Sequence, residues 1–159
     1  MAAALLLAGC ATVPEGAAEA TDHPEARAYA VTEDAMGDVD AALARAASNG
    51  KRVIVAMGAN WCHDSRAFAG WLETPRFAAL TERAFEVVYV NVGMPQTGDA
   101  HNLEVARRFG FETLDGTPTV LVLDADGTVL NADGARSWRN AASRSEDAIY
   151  AELEGFAAR

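Results

Sequence analysis

Residues 59–66 read Ala-Asn-Trp-Cys-His-Asp-Ser-Arg, and position 65 decides how the chain is read. A cysteine there would complete Trp-Cys-x-x-Cys, a dithiol redox signature. Ser65 stands in its place. Upstream, Arg52-Val-Ile-Val-Ala-Met57 is a short continuous apolar run rich in β-branched residues, which predicts a strand buried on both faces. Downstream, from His63 to about Arg83, Phe68, Trp71, Leu72, Phe77 and Leu80 recur at helical intervals. Pro75 marks a kink or a break between two helices. Cys62 therefore falls where a buried strand hands over to a helix.

Further out, 38–50 is Ala-rich with Val39, Leu43 and Ala46 or Ala47 at helical spacing, closed by Gly50, a favoured helix terminator. Phe85–Val92 predicts a second strand, 93–99 a loop, and Asn102–Phe109 a helix ended by Gly110. Gly116–Asp124 predicts a third strand whose Pro118 stands at its start, where a missing N–H is tolerated. Asp126-Gly127 predicts a hairpin turn into Thr128–Leu130, and Ser145–Ala157 a closing helix with Ile149, Leu153 and Phe156 on one face. Helices alternating with the first strands imply parallel crossovers, with the last hairpin adding an antiparallel edge. The order is β-α-β-α-β-β-α after a leading helix, an α/β fold.

The chain has 159 residues, 50% of them hydrophobic and 23% charged, the proportions of one domain with its own core. A net charge of −10 without a basic run argues against nucleic acid or anionic head groups as electrostatic partners. The start, Met-Ala-Ala-Ala-Leu-Leu-Leu-Ala-Gly-Cys10, is too short to span a bilayer and reads as the end of a secretory signal over 1–9. Leu7-Ala8-Gly9-Cys10 resembles the bacterial lipobox, which implies acylation of Cys10 and a lipid-anchored protein on the periplasmic side of the cell envelope. No Lys or Arg precedes the apolar run. Residues 10–35 are rich in Ala, Glu, Thr and Pro and poor in large apolar side chains, the composition of a flexible tether, in which His23 is solvated. With Cys10 lipidated, Cys62 is the one thiol left, and no intramolecular disulfide can form.

The order of elements, Trp61-Cys62 at a strand-to-helix junction, and Thr117-Pro118 opening a strand some 55 positions on resemble the thioredoxin family over about 36–159. The A-N-W-C form and the long first helix are most similar to bacterial thioredoxin-like lipoproteins and their periplasmic relatives. The resemblance implies a thioredoxin-like fold, a central mixed sheet with helices on both faces. It also implies a nucleophilic Cys62, a cis Pro118 packed beside it, and Thr117 as the residue whose backbone docks an extended substrate. The family's buried acidic residue would stand six positions before the cysteine, where this chain has Ala56.

A thiol attacks only as thiolate. A helix N-terminus, with its unpaired N–H groups and macrodipole, favours negative charge at Cys62. Protonated His63 would help and Asp64 would oppose. Ser65 can donate a hydrogen bond to a Cys62 thiolate, but it cannot release a mixed disulfide as a second cysteine does. Three redox roles remain: monothiol exchange or disulfide shuffling, reversible capping by a small thiol, or capture of a partner. The site is then Trp61, Cys62, His63 and Ser65 with Thr117 and Pro118, its partners protein or small-molecule thiols and disulfides. The alternative is a redox-inactive binding or scaffold protein of the cell envelope.

The remaining constellations have plainer readings. Asp124-Ala-Asp126-Gly127 lacks the Gly and Glu of a calcium loop, with Ala135 at the twelfth place. His63 and His101 with Cys62 match no zinc spacing, so neither a metal nor a cofactor is expected. There is no phosphate-binding loop, dinucleotide fingerprint or Gly-x-Ser-x-Gly. Arg107-Arg108 complement a helix C-terminus; Phe68 and Trp71 belong to the core, and Trp138 is an exposed aromatic.

Overall fold

The computed structural model describes residues 23–157; the signal segment, Cys10 and the first part of the expected tether lie outside the described residues. Strand β1 (Arg52–Gly58) is the centre of the sheet. It pairs in parallel with β2 (Phe85–Asn91) on one side and antiparallel with β5 (Thr119–Leu123) on the other. Successive side chains of a strand point to opposite faces, so its apolar run feeds two cores. Ile54 and Ala56 enter one, and Val53, Val55 and Met57 the other.

Helix α1 (Ala35–Asn49) lays Val39, Ala42 and Ala46 on the second core. It starts where the Asp34 carboxylate accepts from the Gly37 N–H at 2.7 Å and ends at Gly50 with φ 74°, so it begins three residues before the expected position. Helix α4 (Leu103–Arg108) adds Val105 to the same core. On the opposite face, α2 (His63–Glu73) and α3 (Pro75–Ala84) are two helices with Pro75 at the first position of the second, where its missing N–H costs nothing. They pack with α5 (Glu146–Phe156) around Phe68, Phe77, Leu80, Ile149 and Leu153.

Five features depart from the sequence reading. The third strand, β5, runs antiparallel to β1: the Thr117-Pro118 pair at its start lies beside Cys62, just past the end of β1, so β5 must begin where β1 finishes. The turn at Asp126-Gly127 forms, but the strand after it shrinks to one bridge, Leu123 with Val129. Asn131 takes over the edge: Val122 N–H donates to its Oδ1 at 2.8 Å and its Nδ2 donates to Val120 O at 2.9 Å. The expected loop after β2 contains a small hairpin, β3 (Gly93–Met94) with β4 (Asp99–Ala100). Trp138, expected exposed, is fully buried in a 3₁₀ segment (Ser137–Ser143), edge-on to Phe68 at 5.1 Å and under the Arg144 guanidinium.

The fifth departure is the tether. Residues 23–34 form a strap across the start of α2 rather than a free linker. Ala26 N–H donates to Arg66 O at 3.0 Å, and Tyr29 is fully buried. Asn60 grips the strap backbone from both sides, its Oδ1 accepting from Tyr29 N–H at 3.1 Å and its Nδ2 donating to Tyr29 O at 2.9 Å. Asn91 Nδ2 donates to the same carbonyl at 3.1 Å. The strap runs so close to α2 that a Cβ at position 70 would stand 2.4 Å from Pro24 O; only glycine fits there. No helix among the described residues is long and apolar enough to cross a membrane.

Candidate functional site

Beyond Gly58 the chain turns through Ala59, Asn60 and Trp61 into α2, and Cys62 is the residue that caps it, with φ −80° and ψ 124°. Its carbonyl already accepts from Arg66 N–H at 3.0 Å. The thiol points at the start of β5 and donates to Thr117 O at 3.2 Å. The Thr117–Pro118 peptide is cis, and both residues are buried. Two segments 55 residues apart thus meet at one sulfur. Cys62 keeps 7% of its surface in solvent, so a reagent or partner must approach through the seam between α2 and the proline.

Trp61 forms the outer lip of that seam. It is 46% exposed, and its Nε1 donates to Gly93 O at 2.9 Å, which ties the indole to the β3–β4 hairpin. Met94 on that hairpin is also exposed. Exposed apolar side chains beside a buried thiol give a protein partner something to bury.

The three residues after Cys62 turn to three different partners. His63 is half exposed and its Nε2 lies 3.1 Å from Glu25 Oε1 on the strap. Asp64 points away, accepting from Ala142 N–H at 2.9 Å. Ser65 differs from expectation: it is fully buried, and its Oγ accepts from Ala59 N–H at 3.4 Å instead of donating to Cys62. The side chain at 65 belongs to the inward face of α2, with Tyr29 and Gly58 against it. A Cβ on Gly58 would lie 2.6 Å from both Ser65 Oγ and Tyr29 Cε1. Ala56, where the resemblance would place an acid, is fully buried between its neighbours Tyr89 and Val120.

Sequence reasoning missed the residues that the strap brings. The Tyr29 phenol lies beneath the site, and burial, with Tyr89 and Cys62 close by, pushes its ionisation well above the ordinary phenol value, Ser65 opposing. Arg66 Nε reaches Glu25 Oε2 at 2.9 Å while the same guanidinium donates to Asn60 O and Trp61 O at 3.2 and 3.0 Å. That hydrogen bond holds the Glu25 carboxyl below its usual range, partial burial opposing. His23, expected in solvent, stacks obliquely on His63 with ring centroids 4.8 Å apart. Tyr29, the one aromatic residue between positions 11 and 35, was the available sign that this stretch docks. His101 stays apart from Cys62's contacts, beside Gly93.

A family model described as thioredoxin-like matches residues 34–125, more than half of the chain. The chain belongs to the thioredoxin-like family. Its fold is that of the family, a mixed central sheet with helices on both faces. The crystal structure of a disulphide isomerase from Xylella fastidiosa Temecula1 matches with a TM-score of 0.71 and 34% identity, covering 80% of this chain and 94% of that one. A probable nucleoredoxin 3 from Oryza sativa subsp. japonica is 31% identical over 106 residues, 55% of this chain. The match takes in 22% of that rice protein, so the chain spans about a fifth of its length.

Proposed function

We propose that this thioredoxin-like protein acts on disulfides through a single sulfur, Cys62, by exchange or shuffling. The observation that carries the reading is the meeting of the Cys62 thiol, at the first turn of α2, with the carbonyl that precedes cis Pro118. The Cys62 thiolate attacks one sulfur of a substrate disulfide; a Cys62–substrate disulfide forms, and the other substrate sulfur leaves as thiolate. With Ser65 at the fourth position no internal thiol can complete a reduction. A thiol of the substrate itself can attack instead, returning Cys62 and re-pairing the substrate with no net electron transfer. Shuffling is therefore the reaction a lone cysteine completes unaided, in keeping with the isomerase likeness. Thr117 docks the substrate backbone, Trp61 offers apolar contact, and Cys10, if acylated, would hold the domain at the periplasmic face of a bacterial membrane.

The test is recovery of activity from a scrambled disulfide-bonded protein in a glutathione buffer. The wild-type chain accelerates recovery and Cys62→Ser does not; equal rates would defeat the reading. The low exposure of Cys62 favours the second reading, a redox-inactive binding module, which the same equality would support.

A further inference from the structure

The strap and the first turn of α2 bring together His23, Glu25 and His63, one donor atom of each lying within 4.8 Å of the other two. We propose that these three side chains bind a divalent transition-metal ion, zinc being the cation whose chemistry fits them. Two imidazoles and a carboxylate are a donor set that zinc takes with a fourth position left for water.

Three separate observations point the same way. His23 Nδ1 lies 3.3 Å from Pro24 O, the backbone contact that fixes the tautomer of a ligating histidine. Its Nε2 is buried and has no hydrogen-bond partner, an arrangement that costs free energy unless something accepts the lone pair. Glu25 is held from behind: Arg66 Nε takes Oε2 at 2.9 Å and its Nη2 reaches Oε1 at 3.4 Å, while Oε1 lies closer, at 3.1 Å, to His63 Nε2. A carboxylate oriented by an outer partner, with one oxygen turned to an imidazole, is the support that ligating groups usually have.

Zn–N and Zn–O bonds of about 2.0–2.2 Å put donors in a tetrahedral shell roughly 3–3.5 Å apart. Closing donors that stand up to 4.8 Å apart onto that shell takes a movement of about 1.5 Å, and the half-exposed His63 side chain has room to move. Because His23 and Glu25 lie on the strap and His63 on α2, the ion pins one to the other, next to the residue that carries the thiol. Binding to the folded chain alone makes it raise thermal stability with concentration.

The test uses the full chain without a histidine tag, with Cys10→Ser and Cys62→Ser so that no thiolate binds the metal. Zn²⁺ is titrated against a chromogenic chelator, and melting is followed with and without Zn²⁺. One equivalent should bind in the micromolar range or tighter and raise the Tm. His23→Ala, His63→Ala and Glu25→Gln should each weaken binding at least about tenfold, on the scale seen when a metal's supporting shell is disturbed. His101→Ala should leave it unchanged. Co²⁺ in place of Zn²⁺ should show visible d–d absorption lost in the same variants. Absence of saturable binding, or binding that survives all three substitutions in chains that melt like the parent, would overturn the proposal. The result does not depend on the exchange reaction, since the thiol is absent throughout.

Discussion

Ser65 separates the two halves of the chemistry. Its neighbour three residues back faces the proline seam, whereas Ser65 is turned into the core, accepting from Ala59 N–H beneath Tyr29. A sulfur at position 65 would therefore be shielded from solvent, as a resolving thiol should be. Ser65→Cys is expected to form an intramolecular 62–65 disulfide and to gain insulin reduction, read as turbidity with dithiothreitol as reductant. With Ala56 in place of an acid beneath it, the gain should fall short of a full dithiol enzyme. A variant that folds yet shows no such disulfide in thiol titration after oxidation would mean that more than one atom was lost. Trp61-Cys62 and Thr117-Pro118 were legible in the sequence because each has a fixed place on a strand end. The orientation of Ser65 was not, because the helical period from Phe68 onward sets a face only approximately, and position 65 lies at its first turn.

At the scale of elements, what stayed hidden shares one physical cause: segments stabilised by side-chain hydrogen bonds and single anchors carry no period. The strap is held by Asn60, Asn91, Arg66 and the bare backbone of Gly70, and its composition reads as linker. His23 and Glu25 reach His63 across some 40 positions, a separation that no zinc motif encodes. The direction of β5 was equally silent, since a strand buried on both faces has the same pattern either way. Trp138 lies in a 3₁₀ segment with no helical repeat, yet it fills the space between α2 and the sheet against Phe68. Trp138→Ala is expected to cost about 3–5 kcal/mol in urea unfolding, the range for emptying an aromatic site in a core. Because its Nε1 is buried without a partner, Trp138→Phe should cost much less. Equal losses for the two would show that the indole N–H, not the packing, matters.

For the whole molecule, the two-faced sheet predicted from β1 stands, and with it a packed pair of tyrosines, Tyr29 fully buried and Tyr89 partly so. Tyr29 and Tyr89 meet edge-on at 5.3 Å. Burial raises the ionisation of both above the ordinary value of 10.0, with Glu73 adding to the effect on Tyr89. A group whose folded pKa is raised gives stability that is complete below its unfolded pKa and is lost as pH rises above it. The urea midpoint should therefore hold to about pH 10 and fall beyond it, with phenolate absorbance of these two residues appearing only on unfolding. Tyr89→Phe should flatten that fall; a midpoint constant through strong alkali would contradict the burial.

The central claim is that Cys62 exchanges despite its shallow exposure. The most direct measurement is the mass of the native Cys10→Ser chain after incubation with oxidised glutathione and again after addition of a reduced thiol. The account predicts one glutathione on Cys62, gained in the folded state and released by the thiol. A chain that stays unmodified while folded, and takes up glutathione only in denaturant, would contradict it.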